Sequence, residues 1–493
     1  MELKVKFLKW SAGILGAMLN VKTAEKMGAQ TTGRVSIKTI SKYPKEIYTF
    51  VDTIEGFIKE EEVLVSSEVK KRLGLKKGEK VDINIASPPR STLFIKKKLN
   101  KKRLSEKEIN EIISDVADNS LSEPEIALFI SAMYKHGMNF KETIYLIKAI
   151  LKTGHELKLM SKELVDKHSI GGIAGNRTTP IVVSICAAAG LTMPKTSSKA
   201  ITSAAGTADV INTIAQVEFT AKDLKKIIKK TGAFIVWGGA LNMVPADSKI
   251  IKIEKALKID PESQLLASIM SKKLAVGSKY ILIDIPYGKT AKVTKHEALR
   301  LKKKFEQLGR YFKKKLKCVL TDGKQPIGNG IGPMLELRDV LEVLDPKQKG
   351  PRDLEEKSLF LASEIFELSG KTKKGKGREL AEEILYSGKA FKKFEDIIKA
   401  QKGKLIELKL PKNKKEILAK KSGRVIEIHN KKINSLARVT GCPADRYSGL
   451  YIFKKVGDRV KKGEKILTIY TESRPRLREA IRFYERIKPI KIK

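Results

Sequence analysis

Over residues 1–86 apolar and polar positions alternate with a period of two, in VKFL, GRVSI, EEVLVS and EKVDINIA, and glycine-bearing turns such as LGLKKGEKV separate the runs. Successive strand side chains point to opposite faces, so this pattern predicts a small β domain with few helices. SPPRS at 87–91 reads as a linker. The period then lengthens. Ser105-Glu-Lys-Glu108 and Ser122-Glu-Pro-Glu125 are capping boxes ahead of helical apolar runs, and Met138–Thr143 opens a third helix. A helical-bundle domain is expected over 87–160, completed by 245–275. From 161 to 410 glycine-rich loops alternate with apolar helices (IVVSICAAAG, DLKKIIKKTG) and apolar strands (FIVWGG, KYILIDIP, KCVLTDG). That alternation predicts a large α/β domain with a mixed, mainly parallel sheet. The tail, 411–493, returns to strands in GRVIEIH and GLYIFKKVGDRVKKGEKILTIYTES, an α+β domain with a hammerhead-like pattern. It lacks the MKM-type hairpin that carries a prosthetic group, so none is expected. The fold class is therefore multidomain α/β.

Composition narrows the function. The net charge is +44, from 100 basic and 56 acidic residues, but the lysines are spread in short runs and aromatics are 6%. A Lys-rich solvated surface explains such runs without a nucleic-acid partner. No apolar stretch nears the ~20 residues that span a bilayer. The N-terminal LKVKFL alternates like a strand rather than a signal peptide. Cys186, Cys318 and Cys442 are too few and too scattered for a disulfide or zinc framework, which fits a reducing cytoplasm.

Four segments carry candidate chemistry. In Lys167–Thr179, Gly171, Gly172 and Gly175 allow close backbone approach, Ser169, Thr178 and Thr179 offer hydroxyls, and a helix N-terminus follows, a combination suited to an anion. His168 reads more readily as a packed residue than as a base. Thr196–Asp209 holds six hydroxyl residues and Lys199 within apolar flanks, a pocket-like pattern. Asp260-Pro261 reads as a helix start with Asp260 as N-cap, and Ser268 and Lys272 share a face of that helix. Pro286–Lys292 is a polar loop after a strand, from which Lys292 could reach a phosphate.

Together, KHSIGG, PKTSSKAITSAAGTAD, LLASIMSKKLAVG and TDGKQPIGNGIGP resemble the thymidine phosphorylase and AMP phosphorylase family, from about residue 100 to the end. Where thymidine phosphorylases have S-G-R and T-G-G-T-x-D, this chain has Ser197-Ser198-Lys199 and Ala204–Asp209. That departure and the extra β domain look like archaeal AMP phosphorylases. The resemblance implies that Gly172, Ser198, Lys199, Ala200, Ile201, Thr202, Ser203, Thr207, Ser268 and Lys292 line the nucleotide and phosphate site. It also implies phosphate-contacting roles for Lys167, Ser169, Thr179 and Ser197, a base contact for Lys272, and a proton-donor role for Asp260.

The implied reaction is phosphorolysis of a nucleoside 5′-monophosphate: AMP plus phosphate giving adenine and ribose 1,5-bisphosphate, with CMP and UMP as further substrates. No metal or cofactor is expected, since phosphate is itself a substrate, and a homodimer or larger homo-oligomer is expected, with no nucleic-acid or membrane partner. A pyrimidine nucleoside phosphorylase and a non-enzymatic nucleic-acid-binding protein remain the alternatives. Steep salt dependence of nucleic-acid affinity would mark the second. Asp260 itself has two readings, a capping aspartate or the acid that protonates the leaving base.

Overall fold

A computed structural model describes residues 1–7, 15–157, 159, 161, 163–200, 203–241, 243–406 and 409–493. The chain divides into two compact units, Met1–Gly154 with Pro245–Ala267, and His155–Val244 with Ser268–Lys493.

In the first unit, strands β1 (Glu2–Phe7), β2 (Gly16–Asn20), β3 (Gly33–Thr39), β4 (Glu46–Ile54), β5 (Glu62–Val65) and β6 (Lys80–Ile85) close into a barrel. Their order is β1-β5-β2-β4-β3-β6, with β1 also pairing antiparallel to β6. The alternation in the sequence has its cause here: Leu3, Val5, Leu19, Val35, Ile37, Val63, Val81 and Ile83 fill the interior. The helical part comprises Ser91–Leu99, Glu106–Asp118, Glu123–His136 and Phe140–Lys152, joined by Pro245–Leu257. Both serine capping boxes form, and Asn139 with Glu142 makes a third. Glu142 works twice: its Oε2 accepts from the Asn139 N–H, while its buried Oε1 lies 2.9 Å from Lys98 Nζ and accepts from the Leu104 N–H.

The helix Glu262–Ala275 begins in this unit. It opens one residue later than the sequence suggests: the Pro261 carbonyl accepts from the Leu265 N–H, so Pro261 rather than Asp260 holds the cap position. Proline tolerates that position because it has no N–H to leave unpaired.

The second unit is built on parallel strands β7 (Val165–Ser169), β8 (Met193–Ser197), β9 (Ala233–Trp237), β10 (Tyr280–Tyr287) and β11 (Lys315–Asp322). One group runs β11-β10-β7 and another β8-β9, and a parallel bridge from Leu164 to Thr192 joins them in the order β9-β8-β7-β10-β11. The chain therefore starts at β7, moves out through β8 to β9, then returns to the other side of β7 for β10. The carboxyl ends of β7 and β10 form the switch point where open parallel sheets take ligands. Helices Thr178–Ala188, Pro333–Leu344, Arg352–Ser369 and Lys389–Ala400 bury Val182, Ile185, Leu337, Leu361, Phe366 and Phe394 in the core.

The tail adds β12 (Gly330–Ile331), β13 (Asn413–Leu418), β14 (Gly423–Ile428), β15 (Gly449–Ile452), β16 (Arg459–Val460), β17 (Lys465–Thr471) and β18 (Ile490–Ile492). They form the sheets β12-β15-β17-β13 and β16-β14-β18, with helices Asn430–Val439 and Arg474–Ile487 packed against them. β12 comes from the GNGIGP segment, so the terminal sheet borrows a strand from a loop of the α/β core. Among the described residues no helix is long and apolar enough to cross a membrane.

Removing one partner of a buried ion pair strands the other charge, at about 3–5 kcal/mol. Glu142→Ala should therefore lower the unfolding free energy of the first unit by about that amount in urea titration. Pairing it with Lys98→Met should restore much of the loss; equal stability of single and double variants would show that Lys98 is not stranded.

Candidate active site

Strand β7 places charge on both faces of the sheet. Its residues alternate, so Lys167 and Ser169 share one face and Asp166 and His168 the other. Pairing with β10 sets Asp284 directly opposite Ser169, on the Lys167 side.

On that side Lys167 is 1% exposed and donates to Thr178 Oγ1 at 2.7 Å and Thr179 Oγ1 at 3.4 Å. These two threonines open the helix Thr178–Ala188, whose N-cap residue Arg177 makes no side-chain cap. The Lys167 amine thus lies at the N-terminus of that helix, the end whose free N–H groups favour an anion. Burial, only partly opposed by the Asp284 carboxylate, pushes Lys167 down to about 7. Asp284 is buried too. Desolvation would raise it, but the charges of Lys357 and Lys167 and a 2.6 Å bond from Thr321 Oγ1 hold it below the usual carboxylate range. Lys357 Nζ lies 3.1 Å from its other oxygen.

On the opposite side Asp166 Oδ2 meets Lys273 Nζ at 2.7 Å, and Lys195 from β8 approaches Oδ1 at 3.7 Å. Burial, then the charge of Lys273, pushes Lys195 well below its usual value. Burial of the His168 ring, then the charges of Lys273, Lys195, Lys272 and Lys167, likewise hold His168 well down, so it stays neutral. A neutral imidazole can hydrogen-bond a substrate without repelling the lysines. His168 Nδ1, Thr196 Oγ1, Ser197 Oγ and Asn176 Oδ1 are buried with no hydrogen-bond partner among the described residues, leaving polar capacity beside these strand ends.

The loops after the strands close in on one another. At Gly172, with φ +91°, an added Cβ would lie 2.7 Å from the Cβ of Lys292, so only glycine lets these segments touch. The second hydroxyl-rich segment is clamped through its backbone. Asp209 Oδ2 accepts from the N–H groups of Ala200 and Gly206, and Arg177 donates to the Ala205 carbonyl, to Thr207 Oγ1 and to buried Glu336. Ser198 is exposed, Ser203 donates to the Ala205 carbonyl, and Lys199 turns to Glu218 and the Trp237 ring. Ile201 and Thr202 lie outside the described residues. Ser268 and Lys272 do share a helix face, with Lys272 Nζ donating to Ser268 Oγ at 2.6 Å. Asp260 is exposed and belongs to the first unit. Among the described residues no cluster of His, Cys, Asp and Glu is arranged to hold a metal.

Sequence reasoning missed Asp166, Lys195, Asp284, Lys357, Arg177 and Glu336. A signal existed for two of them: a lone charge within a strand, as in MPKTS and ILIDIP. Such a residue is buried by its neighbours and needs a partner.

Residues 161–391 match the glycosyl transferase family a/b domain, residues 92–154 its helical bundle domain, and residues 424–490 the pyrimidine nucleoside phosphorylase C-terminal domain. The chain is similar to AMP phosphorylases from Pyrococcus furiosus (41% identity, 99% of this chain and 97% of the relative) and Thermococcus kodakarensis (41%, 100% and 98%). It is also similar to the one from Methanococcus vannielii (38%, 99% and 97%). The fold resembles anthranilate phosphoribosyltransferase from Thermus thermophilus at 18% identity and TM-score 0.52, covering 63% of this chain and 99% of that one.

An amine poised at about 7 makes anion binding depend on pH. Lys167 must be charged to bind an oxyanion, so affinity should fall as pH rises through that value. Sulfate is the cleaner probe, being dianionic throughout. Its affinity should drop by about tenfold per pH unit above the midpoint, and Lys167→Arg should flatten the profile. A flat wild-type profile from pH 6 to 9 would remove Lys167 from the anion site.

Proposed function

Because the chain belongs to the AMP phosphorylase family, we propose that it cleaves the N-glycosidic bond of AMP with inorganic phosphate. The observation that carries this reading is the buried Lys167 amine at the N-terminus of the Thr178–Ala188 helix, beside the switch point of a parallel sheet. Phosphate, held by Lys167, Ser169, Thr179 and Ser197, attacks C1′ of the ribose. The new C1′–O bond forms as the C1′–N bond to the base breaks, and the electron pair leaves with the ring nitrogen. The products are adenine and ribose 1,5-bisphosphate. Preorganised N–H groups, hydroxyls and lysines supply the positioning and the charge stabilisation. Phosphate is a substrate, so the chemistry needs no cofactor or metal.

In this reading the 5′-phosphate is a second anion to bind. Lys292, whose Cβ lies against Gly172, is assigned to that phosphate, and Gly172, Ser198–Ser203, Thr207 and Ser268 are assigned the remaining nucleotide contacts. Lys272 faces the base, and Asp260 donates the proton that neutralises it on departure. CMP and UMP are further substrates, and the working form is a homodimer or larger assembly.

Incubation with phosphate and AMP, CMP, UMP, adenosine or thymidine, followed by detection of free base, tests the reading directly. A charge-assisted hydrogen bond contributes roughly 1.5–3 kcal/mol. Two such bonds to the 5′-phosphate should make kcat/KM for AMP about a hundredfold or more above that for adenosine. Lys292→Ala should erase most of this preference while changing KM for phosphate less. Equal kcat/KM for AMP and adenosine would instead assign the site to a nucleoside.

Asparagine has the shape of aspartate but cannot donate a carboxyl proton, and Asp260 is exposed and lies outside the cap position. Asp260→Asn should therefore lower kcat for AMP by roughly 10²–10⁴ with little change in Tm. Activity near wild type in that variant would leave Asp260 a helix-start residue only.

A further inference from the structure

The helix Asn430–Val439 belongs to the C-terminal domain, yet three of its polar side chains are spent on the loops of the α/β core. Asn430, Asn434 and Arg438 lie four residues apart, so they form one stripe along the helix. Asn430 is fully buried, and its Oδ1 accepts from the Ala174 N–H at 3.1 Å. Its Nδ2 donates to Thr290 Oγ1 at 2.9 Å and to the Gly323 carbonyl at 3.0 Å. Asn434, also buried, accepts from the Ala204 N–H at 3.0 Å. Arg438 donates to the Ser203 carbonyl through Nε at 3.2 Å and Nη2 at 3.0 Å. The apolar side of the arrangement agrees: Ala174 and Ala204 pack in the same core as Ile433, Leu436 and Ala437.

These contacts fall on the loops that follow β7, β8, β10 and β11. Ala174 is two residues from Gly172, and Thr290 is two residues from Lys292. One asparagine side chain therefore sets the spacing between the two segments whose approach at Gly172 leaves no room for a Cβ. We infer that Asn430, Asn434 and Arg438 are positioning residues for the phosphate and nucleotide site, acting through the backbone of the loops they hold. Asn430 is suited because a single planar amide accepts from one loop while donating to two others. A carboxylate of the same shape cannot donate at all. Asn434 needs only an acceptor.

The inference rests on the AMP reading for its activity assay, and the test separates the two. In the full-length protein, Asn430→Asp, Asn434→Leu, Asn434→Asp and Arg438→Gln are compared with wild type. The readouts are kcat and KM for AMP and phosphate, sulfate affinity, Tm, and hydrogen exchange of the Ala174 and Ala204 amides. Asn430→Asp and Asn434→Leu should lower kcat/KM about 10- to 100-fold, the scale of a misplaced substrate contact. They should weaken sulfate binding and speed exchange at the amide each residue holds. Asn434→Asp keeps the acceptor, one helical turn from Arg438, and should return activity and Ala204 protection to near wild type. Arg438→Gln, at a half-buried position, should raise KM for AMP with Tm little changed.

Wild-type kcat/KM and sulfate affinity in Asn430→Asp and Asn434→Leu, despite faster exchange, would overturn the inference. So would losses that only track Tm, with Asn434→Asp as poor as Asn434→Leu, because the helix would then be a mere support. If wild type releases no adenine from AMP, but Asn434→Leu still weakens sulfate binding and frees Ala204, the AMP reading fails and the positioning role stands.

Discussion

An ammonium group withdrawn from water must be compensated or give up its proton, and Lys167 is where this protein meets that constraint. The residue sits in the middle strand of a parallel sheet, where side chains are sealed by helices on either face. Its surroundings balance it only partly. Asp284 favours the charge, while Lys357 and Arg177 oppose it. In the proposed reading an arriving oxyanion would supply the missing negative charge.

The same economy of charge runs through the neighbouring groups. Asp166 sits between Lys273 and Lys195, Asp284 between Lys357 and Thr321, and Glu336 against Arg177. Each acidic group meets a basic one from a different element, so the pairs also register helices and loops against the sheet. A neutral His168 amid four lysines belongs to this pattern, because a further positive charge there would have no partner. The thiols of Cys186, Cys318 and Cys442 are pushed up by burial and serve as small apolar side chains.

The C-terminal domain looks peripheral along the chain but reaches the centre through one helix and one borrowed strand. Gly330 and Ile331 join its sheet by pairing with β15, while Asn430 and Asn434 satisfy loop amides that would otherwise be buried unpaired. Buried backbone donors need such partners. In the α/β core they come from a domain that begins some two hundred residues later.

What the sequence determined by itself is local. Alternation over 1–86 specified strands, and the Ser105 and Ser122 boxes specified helix starts. Glycines with hydroxyls ahead of IVVSICAAAG specified a loop that leads into a helix N-terminus, because each depends on residues within a few positions of one another. The motifs shared with the phosphorylases extended that reach to Lys167, Lys272 and Lys292, and a one-residue slip at Pro261 shows how weakly local signals place a boundary. Only the tertiary structure decided which buried charges pair, why Gly172 cannot carry a side chain, and that Asn430 links loops from three strands. These are meetings of residues separated by tens to hundreds of positions, and no period or neighbour in the sequence records them. They arise when the sheet reverses its direction of growth beside β7 and the helix Asn430–Val439 packs on the loops that result.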